Sequence, residues 1–314
     1  MYSLQGYKMV FKVLNSGIFT TIQDQGRYGY AHLGVCNSGA IDEYAYLWSQ
    51  TLLGEKNINA LEIMVGLKLQ ATTTINISIT GADLDFKING ISFPIWQTHT
   101  IKEGDILTFN KRVSGQRAYL AIKGGFDAIK KYGSYSTTLK EGIGFRLQRG
   151  DSLKSLKLKP PIQKAHNPIF KVQPKYIPNY EKPLILRVII GYQESHFSQE
   201  DKREFFNTEY ELTLQSDRMG FRLKGNPIKA DIDGIISEGI AFGSIQIPKD
   251  GQPIILLKER QTIGGYPKIG TVSAEDCFRL AQKAIGSRVK FKVISIKELE
   301  SKIIKSNQNP TEQM

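Results

Sequence analysis

Three short segments combine charged or amide side chains with glycine, a combination that can bind an anion or activate a water molecule. The first is 23–42, QDQGRYGYAHLGVCNSGAID; the second is 215–222, QSDRMGFR; and the third is 261–267, QTIGGYP, which a looser set at 237–246 accompanies. Glycine lets a backbone approach a ligand closely, carboxylates can serve as bases, and arginine can grip a carboxylate or phosphate. Each segment also has a purely structural interpretation.

In the first segment, Asp42 could act as a general base or orient water, and Arg27 could hold an anion. The structural alternative is that Asp24 pairs with Arg27 and that Asp42 caps a helix beginning near Glu43. Taken alone, the segment favours this alternative. The other candidate binding residues of the segment are Gln23, Asp24, Ser38 and Gly39.

The second segment places Asp217 and Arg218 beside a glycine, which is typical of a charged turn. Asp217 could orient water with Arg218 as its charge partner, or the two could form salt bridges that hold a corner of the fold. The residues favour neither interpretation.

The third segment contains Gly264 and Gly265, whose consecutive backbone N–H groups could converge as an anion-holding nest. An ordinary tight turn before a proline is the alternative. Around this turn, Gln261 and Thr262 supply donors, Tyr266 an aromatic platform, Glu238 an acid or base, and Gln246 an amide.

The elements that must position these residues are predicted to be mainly β-strands. Short runs rich in β-branched and aromatic residues alternate with Gly, Asn and Pro, as in 72–81, 117–125, 184–191 and 288–296. This pattern is typical of barrels or sandwiches. Helical spacing is confined to 43–53 and 274–285, and Ser273 is the predicted N-cap of the second helix.

The chain is predicted to contain two domains related by duplication. Residues 21–30 and 213–221 both read Thr, aliphatic, Gln, and then Arg-x-Gly-aromatic. Six of the twelve prolines lie between positions 160 and 183, where an extended connector is expected because proline supplies no backbone donor. The predicted divisions are a domain at 1–159, the connector at 160–183, a domain at 184–300 and a frayed polar tail at 301–314.

The composition excludes several classes of protein. The chain carries a formal charge of +12, but its lysines are scattered and it has no nucleic-acid reader motif, so no nucleic-acid partner is expected. It has no apolar run long enough for a signal peptide or a membrane span, and its two cysteines have no metal-ligand spacing. A soluble cytoplasmic protein with a small-molecule substrate and no metal is expected.

Standard catalytic signatures are missing as well. The sequence contains no phosphate-binding G-x-x-x-x-G-K-[ST] loop, no G-x-S-x-G elbow and no H-E-x-x-H motif. Chemistry on this chain would depend on carboxylates, amides and backbone donors.

Taken together, three strings in this order resemble the biotin-dependent carboxyltransferase family, also called allophanate hydrolase subunit 2. They are FTTIQDQGRYGYAHLGV with SGAID, then QSDRMGFRL, then GSIQIPKDGQPIILLKERQTIGGYPKIGTV, and the likeness extends from about residue 11 to residue 296. The resemblance implies two cyclophilin-like β-barrel domains with few short helices.

The short, free-standing chain is most similar to the 5-oxoprolinase subunits of that family. The resemblance implies a hydrolase that opens the lactam of 5-oxo-L-proline to L-glutamate while ATP becomes ADP and phosphate. It also implies two partners from the same enzyme, one a second cyclophilin-like protein (its B component) and the other a barrel-type protein (its A component), with ATP bound by this chain or by a partner. The isolated chain is expected to be inactive. The implied anion holders are Gln261, Thr262, Gly264 and Gly265, and the implied water-orienting carboxylates are Asp42 and Asp217, with Arg27 and Arg218 as charge partners.

Two alternatives stay open. The chain could be the carboxyltransferase component of a biotin-dependent urea carboxylase system, which would use biotin. It could also be a non-catalytic protein that antagonises an inhibitor of a histidine kinase.

Overall fold

The computed structural model describes residues 8–155 and 169–307, with side chains up to residue 301. The chain divides into two compact units. Unit 1 comprises the described residues of 8–27, 38–155 and 169–180, and unit 2 comprises those of 28–37 and 181–307. No helix within these ranges is both long and apolar enough to cross a membrane.

Unit 1 is built from antiparallel strands and one α-helix. In chain order its elements are β1 (Lys8–Ser16), β2 (Thr20–Gln23), α1 (Glu43–Leu52), β3 (Ala60–Ile63), β4 (Leu67–Ala71), β5 (Ile75–Asp83), β6 (Phe86–Ile88), β7 (Ile91–Ser92), β8 (Gln97–Ile101), β9 (Ile106–Phe109), β10 (Ser114–Ile122) and β11 (Ser152–Ser155). One sheet has the order β11-β1-β4-β9-β6-β7, and the other has the order β2-β3-β10-β5-β8.

Alternating side chains explain how these sheets share a core. In β4, Leu67 and Leu69 are buried and Lys68 between them is exposed, as expected for a strand with one face in water. In β5 both faces are buried. Ile77 points into the same apolar cluster as Leu69, whereas Thr80 on the opposite face donates to a backbone carbonyl of α1. Helix α1 therefore covers the second face of its sheet.

Unit 2 contains a closed β-barrel. Its elements are β12 (Leu184–Ile190), α2 (Gln199–Asn207), β13 (Tyr210–Ser216), β14 (Gly220–Lys224), β15 (Glu238–Gly239), β16 (Ser244–Gln246), β17 (Ile254–Leu256), β18 (Ile263–Gly264), β19 (Lys268–Val272), α3 (Ala274–Leu280), β20 (Arg288–Val293) and α4 (Ile296–Asn307). The barrel has the order β12-β19-β16-β17-β14-β13-β20, and the parallel pairing of β20 with β12 closes it. Strands β15 and β18 form a separate two-stranded sheet.

The predicted mainly β fold with few short helices is confirmed, and unit 2 is a barrel of seven strands. Unit 1 differs in detail, because its strands lie in two sheets rather than in one closed barrel. Both predicted helices form: α1 begins directly after Asp42, and α3 begins after Ser273, whose side chain accepts from the Asp276 backbone. Helices α2 and α4 were not predicted. The internal duplication stays a prediction.

Two local expectations differ from the structure. The predicted connector is described from residue 169 onward. Up to residue 180 it packs against unit 1, because Val172 and Tyr180 are buried in an apolar cluster with Trp48 and Trp96. The predicted frayed tail begins inside α4, which extends to Asn307. Residues 160–168 of the connector and 308–314 of the tail lie outside the described residues.

Candidate functional site

A cavity in unit 2 is the strongest candidate for a ligand site. It has a volume of 290 Å³, which suits a small molecule. Its lining consists of Gly191, Tyr192, Gln193, Glu238, Gly239, Ala241, Ser244, Lys268, Gly270 and Thr271. Two barrel strands, β16 and β19, and strand β15 of the separate sheet supply six of these ten residues.

The local fold explains how these side chains converge. Tyr192 and Gln193 follow directly on the end of β12, and Glu238 begins β15. Between β16 and β19 the register skips one residue, so that Ile245 faces Gly270 and Gln246 faces Lys268. Such a bulge re-aims side chains and is common beside functional sites.

Four of the lining residues, which we call the cavity cluster, form one polar network: Tyr192, Gln193, Glu238 and Lys268. Lys268 Nζ lies 2.5 Å from Glu238 Oε1. Gln193 Nε2 donates to the same carboxylate oxygen at 3.0 Å, and the Tyr192 hydroxyl donates to Oε2. The Lys268 backbone N–H in turn donates to Gln193 Oε1 at 2.8 Å. Both Gln193 and Lys268 are buried.

This network fixes the protonation of two groups. The hydrogen bond from Lys268, followed by that from Tyr192, lowers the pKa of Glu238 below its ordinary value, because both stabilise the carboxylate. The same contact with Glu238 raises the pKa of Tyr192. At neutral pH these two groups are therefore a carboxylate and a protonated phenol. A carboxylate held in this way is a weak base, so its main effect is to orient the Lys268 side chain.

Of the predicted residues, Glu238 lines the cavity, whereas Gln246 and Gly264 do not line it but are strand-pair neighbours of residues that do. Glu238 and Gly264 are partners in the β15–β18 pair, and Gln246 is the partner of Lys268. The predicted nest is wrong. Gly264 and Gly265 do not have the positive φ that a nest requires, and Gly264 belongs to a strand pair.

The remaining predicted residues of this segment lie around that strand pair. Gln261 and Tyr266 are exposed, and Thr262 accepts a backbone hydrogen bond from Ile240 at 3.2 Å. The Gly265 carbonyl accepts one from the Ile235 N–H at 2.8 Å. None of these four residues lines the cavity.

Asp217 and Arg218 have structural partners. Asp217 Oδ1 accepts from the Met219 N–H at 2.7 Å, and its own N–H donates to the Gly220 carbonyl at 3.1 Å, so it stabilises a tight turn. The buried Arg218 forms an ion pair with Glu259. These contacts favour the salt-bridged corner over a catalytic pair.

In unit 1, Asp24 and Arg27 both hold the loop at 134–138. Asp24 accepts from the Ser134 hydroxyl at 2.6 Å and from the Tyr135 N–H at 2.7 Å. Arg27 is 2% exposed, and it donates to Thr138 Oγ1 at 2.8 Å and to the Ser136 carbonyl. A guanidinium buried in this way is not presented to a ligand.

Asp42 is the N-cap of α1, as the structural alternative predicted. Its Oδ1 accepts from the Ala45 N–H at 3.1 Å, and its Oδ2 accepts from the Tyr180 hydroxyl at 3.0 Å. The Tyr119 hydroxyl accepts from the Asp42 N–H and donates to Glu62 at 2.8 Å. With Asp42 only 2% exposed, the proposed role as general base has no access to a ligand within unit 1.

The other three predicted residues of unit 1 are also structural. Gln23 Nε2 and Ser38 Oγ both donate to the Thr137 carbonyl, each at 3.1 Å. Gly39 has φ of +102°, and a Cβ there would lie 2.8 Å from the Gln25 carbonyl oxygen. Glycine is required at this position for both reasons.

Several lining residues were missed from the sequence: Tyr192, Gln193, Ser244, Lys268 and Thr271. Lys268 lies within the string GGYPKIG that carried the family resemblance, but a lone lysine in a strand has no local chemical signature. Tyr192 and Gln193 follow a glycine at the end of a strong strand pattern, which was the one available signal.

Comparison with known proteins gives consistent results. Residues 33–293 match the family described as carboxyltransferase domain, subdomain A and B. The chain is 33% identical over 300 residues to the C subunit of 5-oxoprolinase from Escherichia coli K12, covering 92% of this chain and 93% of that protein. It is 33% identical over 288 residues to the C subunit of 5-oxoprolinase from Haemophilus influenzae, covering 88% and 89% respectively.

A solved structure agrees with the fold. The Kluyveromyces lactis urea carboxylase superposes with a TM-score of 0.84 at 26% identity and covers 98% of this chain. The chain spans 30% of the length of that solved chain.

Proposed function

Because this chain belongs to the carboxyltransferase domain family, subdomain A and B, we propose that it is one subunit of a multi-subunit, ATP-dependent 5-oxoprolinase. The complex would hydrolyse the lactam of 5-oxo-L-proline to L-glutamate. The observation that carries this proposal is the match to a 5-oxoprolinase C subunit, which covers 92% of this chain and 93% of the relative.

The cavity cluster suits the binding of a lactam. Lys268 can donate to the lactam oxygen, where negative charge develops when water attacks the carbonyl carbon. Glu238 orients the Lys268 ammonium group, while Tyr192 and Gln193 hold the carboxylate in place. In this proposal the chain binds and orients the amide.

The same cavity does not fit a nucleoside triphosphate such as ATP. Its one ammonium group is already paired with Glu238, and the predicted anion nest at Gly264 and Gly265 is not formed. We therefore assign ATP binding to the partners in the proposed complex. These partners are the second cyclophilin-like protein and the barrel-type protein.

Co-expression tests this function. The chain is produced with its two proposed partners, and phosphate release from ATP is measured with and without 5-oxo-L-proline. We expect release that depends on 5-oxo-L-proline from the complex and none from the isolated chain. Robust turnover by the isolated chain, or a complex that ignores 5-oxo-L-proline, would contradict the proposal.

A carboxyltransferase acting on urea is the second candidate. The superposition on urea carboxylase over 98% of this chain favours it. When bound, carboxybiotin would supply the carboxyl group, and Lys268 would hold the oxygen of its ureido ring. Added biotin carboxylase, carrier protein, ATP and urea would then give urea-dependent bicarbonate fixation, with ATP converted to ADP and phosphate, which the first proposal does not predict.

A further inference from the structure

The side-chain amide of Gln246 is a buried donor with no acceptor. Gln246 is 1% exposed, and within residues 8–155 and 169–307 its Nε2 has no hydrogen-bond partner. Leaving such a group unpaired costs folding free energy, so an unpaired buried donor requires a specific explanation.

Gly264, which has no side chain, leaves room for this amide. A Cβ at Gly264 would lie 2.7 Å from Gln246 Nε2 and 2.5 Å from Ile240 Cδ1. Both distances are far below ordinary carbon contacts. Any other residue at position 264 would therefore displace the amide, so this glycine is explained by a close approach and not by a turn.

The strand registers place the amide beside the cavity. Gln246 faces Lys268 across β16 and β19, which puts their side chains on one face of the sheet, and Gly264 faces Glu238 across β15 and β18. Lys268 and Glu238 line the cavity and contact each other. The described residues offer Lys268 Nζ no partner besides this carboxylate, so two adjacent donors have spare hydrogens.

The charges of the cavity-lining residues indicate which kind of acceptor group a ligand would present. Glu238 and Lys268 cancel, and the other eight lining residues carry no charge. An added carboxylate would leave a net negative charge in a partly buried site, whereas a neutral amide would not. We infer that Gln246 Nε2 donates a hydrogen bond to the carbonyl oxygen of a neutral amide bound in the cavity, and that Gly264 keeps the space for it. The choice of a lactam as the natural ligand rests on the proposed function; because 5-oxo-L-proline also carries a carboxylate, only its neutral ring amide would enter the cavity, and its carboxylate would stay in solvent.

Nuclear magnetic resonance of the full chain tests this inference directly. The side-chain NH₂ signals of Gln246 are assigned by their loss in Gln246→Leu, and the chain is titrated separately with acetamide, acetate and 5-oxo-L-proline. We expect acetamide and 5-oxo-L-proline to shift these signals and acetate to leave them in place. Affinity for acetamide should fall about tenfold in Gln246→Leu, the loss of one hydrogen bond.

The separate titrations distinguish this inference from the proposed function. A shift with acetamide but not with 5-oxo-L-proline supports the inference and removes the proposed substrate. No shift with acetamide, a shift with acetate of equal size, or full binding by Gln246→Met, whose side chain has no donor, would overturn the inference.

A second variant tests the role of Gly264 without a general packing defect. Ile240→Val removes the Cδ1 atom that a new methyl group would strike, so Gly264→Ala in that background conflicts only with Gln246. We expect Ile240→Val alone to bind acetamide normally and the double variant to bind about tenfold more weakly, with equal thermal unfolding temperatures. A double variant that binds as well as Ile240→Val would show that the gap has no role in binding.

Discussion

Each unit of the molecule contains a carboxylate that accepts a hydrogen bond from a tyrosine hydroxyl. The two arrangements differ in whether a hydrogen-bond donor remains available to a ligand. In unit 1, Asp42 caps α1 and accepts from Tyr180, and Tyr119 links it to Glu62. We call these four residues the unit 1 cluster. In the cavity cluster, by contrast, the Glu238 carboxylate holds a lysine that still has hydrogens to donate, beside a 290 Å³ space.

The difference shows how a structural cluster can be told from a binding one. Burial is the largest cause of the raised pKa values of Tyr119 and Tyr180, which keeps their protons in place and the network closed. In the cavity cluster, Lys268 Nζ has no partner among the described residues besides the Glu238 carboxylate, which leaves it able to donate to a bound molecule. Changes in the unit 1 cluster should therefore affect stability, and changes in the cavity cluster should affect binding.

The largest expected effect is on the stability of unit 1. Asp42→Ala removes a helix cap and leaves the buried Tyr180 hydroxyl without its acceptor, so the free energy of unfolding should fall by about 3 kcal/mol. Both tryptophans, Trp48 and Trp96, are buried in unit 1 and provide a fluorescence signal for urea denaturation. A variant of unchanged stability that has lost activity would instead make Asp42 catalytic.

The next effect is on activity. Lys268→Met removes the donor proposed for the substrate oxygen, and 5-oxo-L-proline-dependent phosphate release by the co-expressed complex should fall about hundredfold. Lys249→Met is the matched control, because Lys249 also pairs with a carboxylate, Asp233 at 3.0 Å, but on the exposed surface. Equal losses in the two variants would show that Lys268 contributes no more to activity than a surface lysine does.

The pH dependence of the cavity cluster is a smaller effect. Lys268 lowers the pKa of Glu238 from its ordinary 4.5, so the ion pair is complete above that value and is lost only as the pH falls through the lower folded value. Acetamide affinity should thus be constant from neutral pH down to 4.5. A carbon NMR titration of the Glu238 carboxyl should show its pKa rising in Lys268→Met. An unchanged value would mean that the pair does not form.

The smallest effect is expected at Asp217. Asp217→Ala removes the hydrogen bonds of one exposed turn, which should destabilise unit 2 by about 1 kcal/mol. The tryptophan transition of unit 1 and the activity of the complex should both stay unchanged. A strong loss of activity would restore the catalytic role that the sequence suggested.

Local signals predicted most of the fold. Alternating residues such as Leu67, Lys68 and Leu69 identify strands, and Ser273 and Asp42 mark helix starts, because each effect acts within a few residues. The separation of unit 1 into two sheets depends on pairings between distant strands. No local pattern encodes those pairings.

The site was harder to predict for the same reason. Glu238 and Gln246 were candidates from their side-chain types, but Lys268 became relevant only through the skipped register between β16 and β19. Gly264 and Gly265 were compatible with a nest or a tight turn. The structure instead shows a close approach at Gly264, because Gln246 and Ile240 occupy the space that a side chain would need.

The parallel pairing of β12 with β20, which closes the barrel, has a consequence for synthesis. Strand β20, which begins at Arg288, lies between β12 and β13, which begin at Leu184 and Tyr210. During translation those two strands emerge long before the partner that joins them, and each exposes an open edge in the meantime. The ribosome must therefore deliver almost the whole of unit 2 before its barrel can shut.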